Sequence, residues 1–68
     1  MKRYWIHRGR LWLDGRPVPV SRGSVALTLA SRRLHADVSM PVPESLAIDV
    51  VRIDRTLSLQ SWENDSAA

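Results

Sequence analysis

Apolar and polar residues alternate along most of this chain with a period of two, the period of a half-buried strand in an antiparallel sheet. Five runs show the alternation: residues 2–8, 11–13, 24–30, 34–40 and 55–62. Turn-forming residues separate these runs: Gly9, Asp14-Gly15, residues 21–23 and residues 41–43. The pattern therefore predicts short strands joined by tight turns.

Residues 43–54 fit two interpretations. As a strand, they place Leu46, Ile48 and Val50 on one face; as a short helix, they place Leu46, Val50 and Ile53 at near-helical spacing. Because β-branched residues are stiff at χ1 and favour strands, the composition of this stretch favours the strand.

Residues 11–20 predict a hairpin whose turn is Asp14-Gly15. Its second arm carries Pro17 and Pro19 at alternate positions. In a strand, the backbone N–H and C=O groups of every second residue point to the same neighbouring strand. Pro17 and Pro19 therefore remove donors from one side of this strand only. We expect this arm to be an edge strand with its proline side facing solvent.

Five or six short strands in 68 residues predict an all-β fold. The expected architecture is a small antiparallel barrel or strongly curved sheet of SH3-like or OB-like size, with one short helix or turn near 44–52 as the alternative. Residues 1–62 would form a single domain and residues 63–68 a disordered tail. A chain this short buries a thin core, and it has no cysteine for a disulfide, so we expect a homodimer.

The net charge of +3 conceals an uneven distribution. Residues 1–33 carry eight arginine or lysine residues against one aspartate, whereas residues 34–68 carry two against six acidic residues. Nine of the ten basic residues are arginine, whose planar guanidinium suits bidentate phosphate contacts and stacking.

Aromatic residues lie among the arginines of the N-terminal half, which is typical of stacking surfaces for RNA or single-stranded DNA. In the alternative interpretation, the tryptophans fill the core and the arginines only solvate the surface. Arg32-Arg33 would occupy a hairpin tip between two strands. The predicted contact set is Arg3, Tyr4, Trp5, Arg8, Arg10, Trp12, Arg16, Arg32 and Arg33.

The sequence shows no catalytic or cofactor signature. His35, Asp37 and Ser39 would share one face of a strand, but side chains on one strand stand parallel, whereas a catalytic triad converges from different elements. We expect no enzyme activity, no cofactor and no bound metal. No segment resembles a secretion signal or a membrane span, so a cytoplasmic protein is expected.

Two functions remain open at this point. The first is a small regulatory module that binds nucleic acid through the contact set above. The second is a protein-binding inhibitor, adaptor or accessory subunit, of the kind that mobile elements encode, acting through a strand edge or an apolar patch.

Overall fold

A computed structural model describes the backbone of residues 2–67 and the side chains of residues 2–60. It contains an open four-stranded antiparallel sheet with the strand order β3-β2-β1-β4, and two helices packed on one face of that sheet. The elements are β1 (Tyr4–His7), β2 (Arg10–Leu13), β3 (Arg16–Pro17), α1 (Arg22–Ser31), β4 (Met40–Val42) and α2 (Glu44–Ala67).

Two tight turns build the first three strands into a meander. Arg8-Gly9 connects β1 to β2 and Asp14-Gly15 connects β2 to β3, and all four residues have φ between 50° and 80°. Consecutive left-handed residues define the type I′ turn, whose twist matches that of the flanking strands. The turn predicted at Asp14-Gly15 is confirmed.

Gly15 and Gly23 provide a matched pair of glycines for testing the turn. Gly15 has φ +80°, and a Cβ there would meet no atom within 4 Å, so the backbone conformation alone disfavours alanine. Gly15→Ala is expected to lower the free energy of unfolding by about 1 kcal/mol. Gly23 lies in the first turn of α1, where alanine restricts the unfolded chain without strain. Gly23→Ala should therefore raise the free energy of unfolding by about 0.4–1 kcal/mol. Urea denaturation measures both; equal effects would contradict this assignment.

At the edge strand β3, a proline removes a backbone donor from the side that faces solvent. The Val18 N–H donates to the Leu11 carbonyl at 2.9 Å, so residues of the parity of Val18 bond to β2. Pro17 has the opposite parity, and its missing N–H therefore faces away from the sheet. The prediction that this arm is a proline-bearing edge strand is confirmed for Pro17, but it is wrong for Pro19, which lies beyond the end of β3.

The other edge strand, β4, also has a proline that faces away from the sheet. The Asp14 N–H donates to the Arg3 carbonyl at 2.9 Å, which assigns the odd-numbered residues of β1 to bonding with β2. Its even-numbered residues therefore bond to Met40 and Val42. Pro41 lies between these two and directs its donor-free nitrogen outward. Both edges of the sheet thus present a proline to solvent, which disfavours the addition of a further strand.

The core lies between the sheet and the helices. Its buried apolar side chains are all aliphatic, and burial of such side chains is the main stabilising term in a domain of this size. The buried apolar residues are Ile6, Leu11, Val25, Leu29, Val42, Leu46, Ala47 and Val50.

The all-β prediction, with its small barrel, is wrong: the fold is mixed α/β and the sheet is open. Residues 24–30, predicted as a strand, lie in α1. The Ser21 side chain caps this helix by accepting from the Ser24 N–H at 3.1 Å. In the helix, Val25 and Leu29 share the buried face, while Leu27 is 52% exposed. Alternation between leucine and small residues fits either period, and the Ser21 cap favours the helix.

The end of α1 also lacks the usual sequence signal. Leu34 N–H donates to the Leu29 carbonyl and Arg33 N–H to the Ala30 carbonyl, and Arg33 has φ 58°. These two bonds form a Schellman motif, in which glycine usually takes the left-handed position. With arginine in that position, the sequence gives no stop signal. The predicted strand at 34–40 is wrong as well, since only its last residue, Met40, belongs to β4.

The structure places residues 43–54, for which a strand was favoured, and residues 55–62, predicted as a strand, in α2 from Glu44 onward. The short helix considered as an alternative near 44–52 is therefore closer to the structure. Leu46 and Val50 are buried, and Ile53 and Leu57 follow on the same stripe at helical spacing. Packing of this stripe overrides the strand preference of the β-branched residues. The disordered tail expected at 63–68 stays a prediction.

Polar contacts fix the two helices antiparallel. One Asp54 carboxylate oxygen accepts from the Ser21 N–H at 2.9 Å and from the Ser24 hydroxyl at 2.8 Å. At the other end, Arg32 forms an ion pair with Asp49. The backbone hydrogen bond from Ser21, followed by that from the Ser24 hydroxyl, lowers the pKa of Asp54, because both stabilise its charged form.

This contact makes part of the stability acid-sensitive. Because the pKa of Asp54 is lower in the folded than in the unfolded chain, its contribution is present above about pH 4 and is lost as pH falls through the lowered pKa. Asp54→Ala should lower the free energy of unfolding at neutral pH by about 1–2 kcal/mol and remove this component of the acid sensitivity. Urea denaturation across the acid range measures it, with Asp37→Ala as the exposed control. An unchanged pH profile would contradict the assignment.

Candidate nucleic-acid interface

The sheet face opposite the helices carries a row of flat apolar side chains. Trp5 on β1 is paired with Trp12 on β2, Pro41 on β4 is paired with Trp5, and Pro17 on β3 is paired with Trp12. Paired residues in a sheet project to the same side, so these four residues form one row across all four strands. We refer to Pro17, Trp12, Trp5 and Pro41 as the Trp–Pro row.

The tryptophans of this row do not belong to the core. Trp5 is 45% exposed and Trp12 is partly buried, whereas the buried apolar residues of the core are all aliphatic. The interpretation in which the tryptophans fill the core is therefore wrong for Trp5 and Trp12. The side chain of Trp62 lies outside the described part of the chain.

One polar atom on this face has no partner. The Trp12 indole Nε1 is shielded from solvent and makes no hydrogen bond within the described residues. A shielded donor without an acceptor costs about 1–3 kcal/mol. An acceptor that reached this N–H after a small rotation of the ring would recover that cost.

Basic side chains lie on both sides of the row. Arg3, His7 and Arg10 have the same parity as the tryptophans and project from the same face. Arg3 and His7, with the tryptophans and the Asp14-Gly15 turn, line a shallow concavity of about 510 Å³. Asp14 is the acidic residue there, and its carboxylate accepts from the backbone N–H of Arg3 at 3.0 Å. The face is therefore apolar at its centre and predominantly basic at its rim.

His7 also ties the sheet to the connection before β4. Its Nδ1 shares a hydrogen bond with the hydroxyl of Ser39. His35 and Asp37 lie in that connection rather than on a strand, so the same-face arrangement considered for these residues does not form. Among the side chains described, no cluster of three or more histidine and acidic residues could hold a metal ion.

The predicted contact residues divide between different surfaces. The structure brings Arg3, Trp5, Arg10 and Trp12 together on the open face, with Arg8 at the tip of the adjoining turn.

The other four residues lie elsewhere. Tyr4 is partly buried on the helix-facing side, and Arg16 has the same parity because it is paired with Leu13. Arg32 and Arg33 follow the last turn of α1, so their predicted place at a hairpin tip is wrong. Arg32 is also engaged with Asp49.

Sequence reasoning missed two members of the Trp–Pro row and one member of its basic rim. Pro17 was interpreted only as an edge-strand residue and Pro41 only as part of a turn, and His7 was not included in the contact set. The parity of His7 with Trp5 was visible in the sequence, but the pairing of β4 with β1 joins residues 34 or more positions apart and had no local signal.

The chain matches no model of a known protein family, no curated protein and no solved structure. No helix in the described part of the chain is long and apolar enough to cross a membrane.

Proposed function

We propose that this protein is a non-enzymatic module that binds single-stranded nucleic acid on the open face of its sheet. The observation that carries the proposal is the pairing of Trp5 with Trp12 in the Trp–Pro row, on the face that the helices leave uncovered. Aromatic rings on a sheet face stack with unpaired bases, and this stacking does not require a particular base.

The Trp–Pro row is long enough for a few stacked bases. Four strands at a spacing of about 4.8 Å give a row about 14 Å across, and comparable sheet surfaces stack two or three bases. The proline rings at the two ends extend the apolar surface beyond the tryptophans. Duplex nucleic acid does not expose base faces, so the row favours single strands.

The rim supplies contacts for the phosphate backbone. Arg3 and Arg10 lie on opposite sides of the row, because Arg3 precedes β1 and Arg10 begins β2 beside the Arg8-Gly9 turn. Arg8 at the turn adds a third cation. Guanidinium groups on both sides of a stacking surface would hold the backbone while the bases lie on the rings. The unpartnered Trp12 indole N–H adds a donor for a base or phosphate oxygen.

The edge-dependent form of the protein-binding alternative has less support. It requires a free sheet edge, and both edges direct proline nitrogens outward at Pro17 and Pro41. A strand added at either edge would therefore lack one backbone hydrogen bond, because the proline there has no N–H to donate.

Fluorescence anisotropy with labelled oligonucleotides of about ten nucleotides tests the proposal. We expect oligo(U) and oligo(dT) to bind more tightly than a duplex of the same length. With three phosphate contacts, affinity should fall about tenfold to twentyfold between about 50 and about 200 mM salt. Arg10→Gln should flatten this salt dependence, whereas Arg33→Gln, the same substitution behind the sheet, should leave it unchanged.

Two results would contradict the proposal. One is the absence of binding at low salt to either single strand. The other is an equal loss of affinity in Arg10→Gln and Arg33→Gln, which would show only a general effect of positive charge.

A further inference from the structure

On the helix side of the sheet, an open groove of about 360 Å³ separates α2 from the strands. Its sheet wall contains Tyr4, Leu13 and Val18, and its helix wall contains Ile48, Val51 and Arg55. Ile48 is 49% exposed and Val51 43% exposed, although both are β-branched apolar residues. This groove lies on the opposite side of the sheet from the Trp–Pro row and is not used by the proposed function.

The exposed side of α2 has a self-complementary order of residues. Glu44, Ile48, Val51 and Arg55 recur at spacings of four, three and four residues, which is the spacing of a helix-packing seam. Glu44 precedes Ile48 by four residues and Arg55 follows Val51 by four residues. The seam therefore has an acidic end, an apolar centre and a basic end, placed symmetrically about its midpoint.

We propose that this groove is a homodimer interface in which the α2 helices of two copies pack antiparallel. About a twofold axis at the seam midpoint, Ile48 lies opposite Val51 of the partner subunit, and Glu44 lies opposite the partner's Arg55. Each pair occurs twice, because a twofold interface repeats every contact. The partner helix would cover the apolar walls of the groove and extend the core of each subunit.

Two further observations favour a second copy as the occupant. Glu44 and Arg55 are exposed and take no part in the one ion pair among the described side chains, so both remain available across the interface. The domain is small, with no cysteine to form a disulfide, and a partner chain is the usual way to enlarge so thin a core. An acidic peptide would match Arg55 but would leave Glu44 facing a like charge.

Sedimentation equilibrium over about a hundredfold range of protein concentration tests the interface. The unmodified chain is expected to show a monomer–dimer equilibrium. Arg55→Glu and Glu44→Arg should each weaken dimerisation about tenfold or more, since each places like charges opposite each other twice. The double variant Glu44→Arg/Arg55→Glu exchanges the charges and should restore the affinity. Ile48→Asn should abolish the dimer, whereas Leu27→Asn, equally exposed but on α1, should leave it intact.

Far-UV circular dichroism checks whether each variant keeps its helices, so that a lost dimer can be separated from a lost fold. A chain that is monomeric at every concentration overturns the proposal and leaves the groove to a different partner, such as an acidic peptide. A dimer that is indifferent to Ile48→Asn overturns it too. Failure of the charge exchange to restore dimerisation overturns the antiparallel register.

Discussion

Replacing Ile6 by alanine is expected to lower the free energy of unfolding by about 2–5 kcal/mol. Ile6 is fully buried at the centre of β1, opposite Leu11, and belongs to the core cluster that includes residues of both helices. A domain of this length has about 3–10 kcal/mol of stability in total. The variant should therefore be partly or wholly unfolded at moderate temperature.

Leu27→Ala is the matched control for this substitution. Leu27 is a large aliphatic residue, but it is 52% exposed on α1, so its truncation should change stability by less than about 0.5 kcal/mol. Urea denaturation followed by circular dichroism measures both variants. Similar losses in the two would contradict the placement of the core on the helix-facing side of the sheet.

Replacing both Trp5 and Trp12 by leucine is expected to remove nearly all binding to single-stranded oligonucleotides. Stacking of a base on an aromatic ring contributes about 1–3 kcal/mol, so each single substitution should weaken binding about tenfold and the pair about a hundredfold. Leucine keeps an apolar side chain in the strand but offers no flat ring. Because both residues lie outside the core, the fold should persist.

Tyr4→Leu provides the control for loss of an aromatic ring. Tyr4 lies on β1 beside Trp5, but it faces the groove beneath α2. Its replacement should leave oligonucleotide affinity unchanged in an anisotropy titration. If Tyr4→Leu weakened binding as much as Trp5→Leu, the open face would not be the binding surface.

The N-terminal hairpins could be predicted from the sequence because their signals are local. The parities of Tyr4 and Ile6 against Trp5 and His7 are those of the structure, and Asp14-Gly15 forms the expected turn. These features depend on neighbouring residues and on turn chemistry, which the sequence displays directly.

The helices could not be predicted in the same way, because their signals were ambiguous or missing. Residues 24–30 alternate with period two and also place Val25 and Leu29 one helical turn apart. The Ser21 cap and its link to Asp54, which lies 33 positions away, favour the helix. The Arg33 position after α1 lacks the glycine that commonly marks a helix end.

The candidate site was predicted only in part, because only some of its residues lie in elements with local sequence signals. Trp5, Trp12, Arg3 and Arg10 lie within the two local hairpin strands or next to them, so their common face follows from parity. Arg32 and Arg33 were placed with them only because α1 was interpreted as a strand. With the helix in place, these two arginines lie behind the sheet, where Arg32 binds Asp49.

Nuclear magnetic resonance titration of the ¹⁵N-labelled protein with oligo(U) tests the central claim most directly, because it locates the binding surface residue by residue. The indole N–H signals of Trp5 and Trp12 and the backbone amides of β1 and β2 are expected to shift together with increasing oligonucleotide. Signals from the Ile48–Val51 side of α2 should stay in place. Shifts confined to the α2 groove, or no shifts at low salt, would contradict the claim that the Trp–Pro row binds single-stranded nucleic acid.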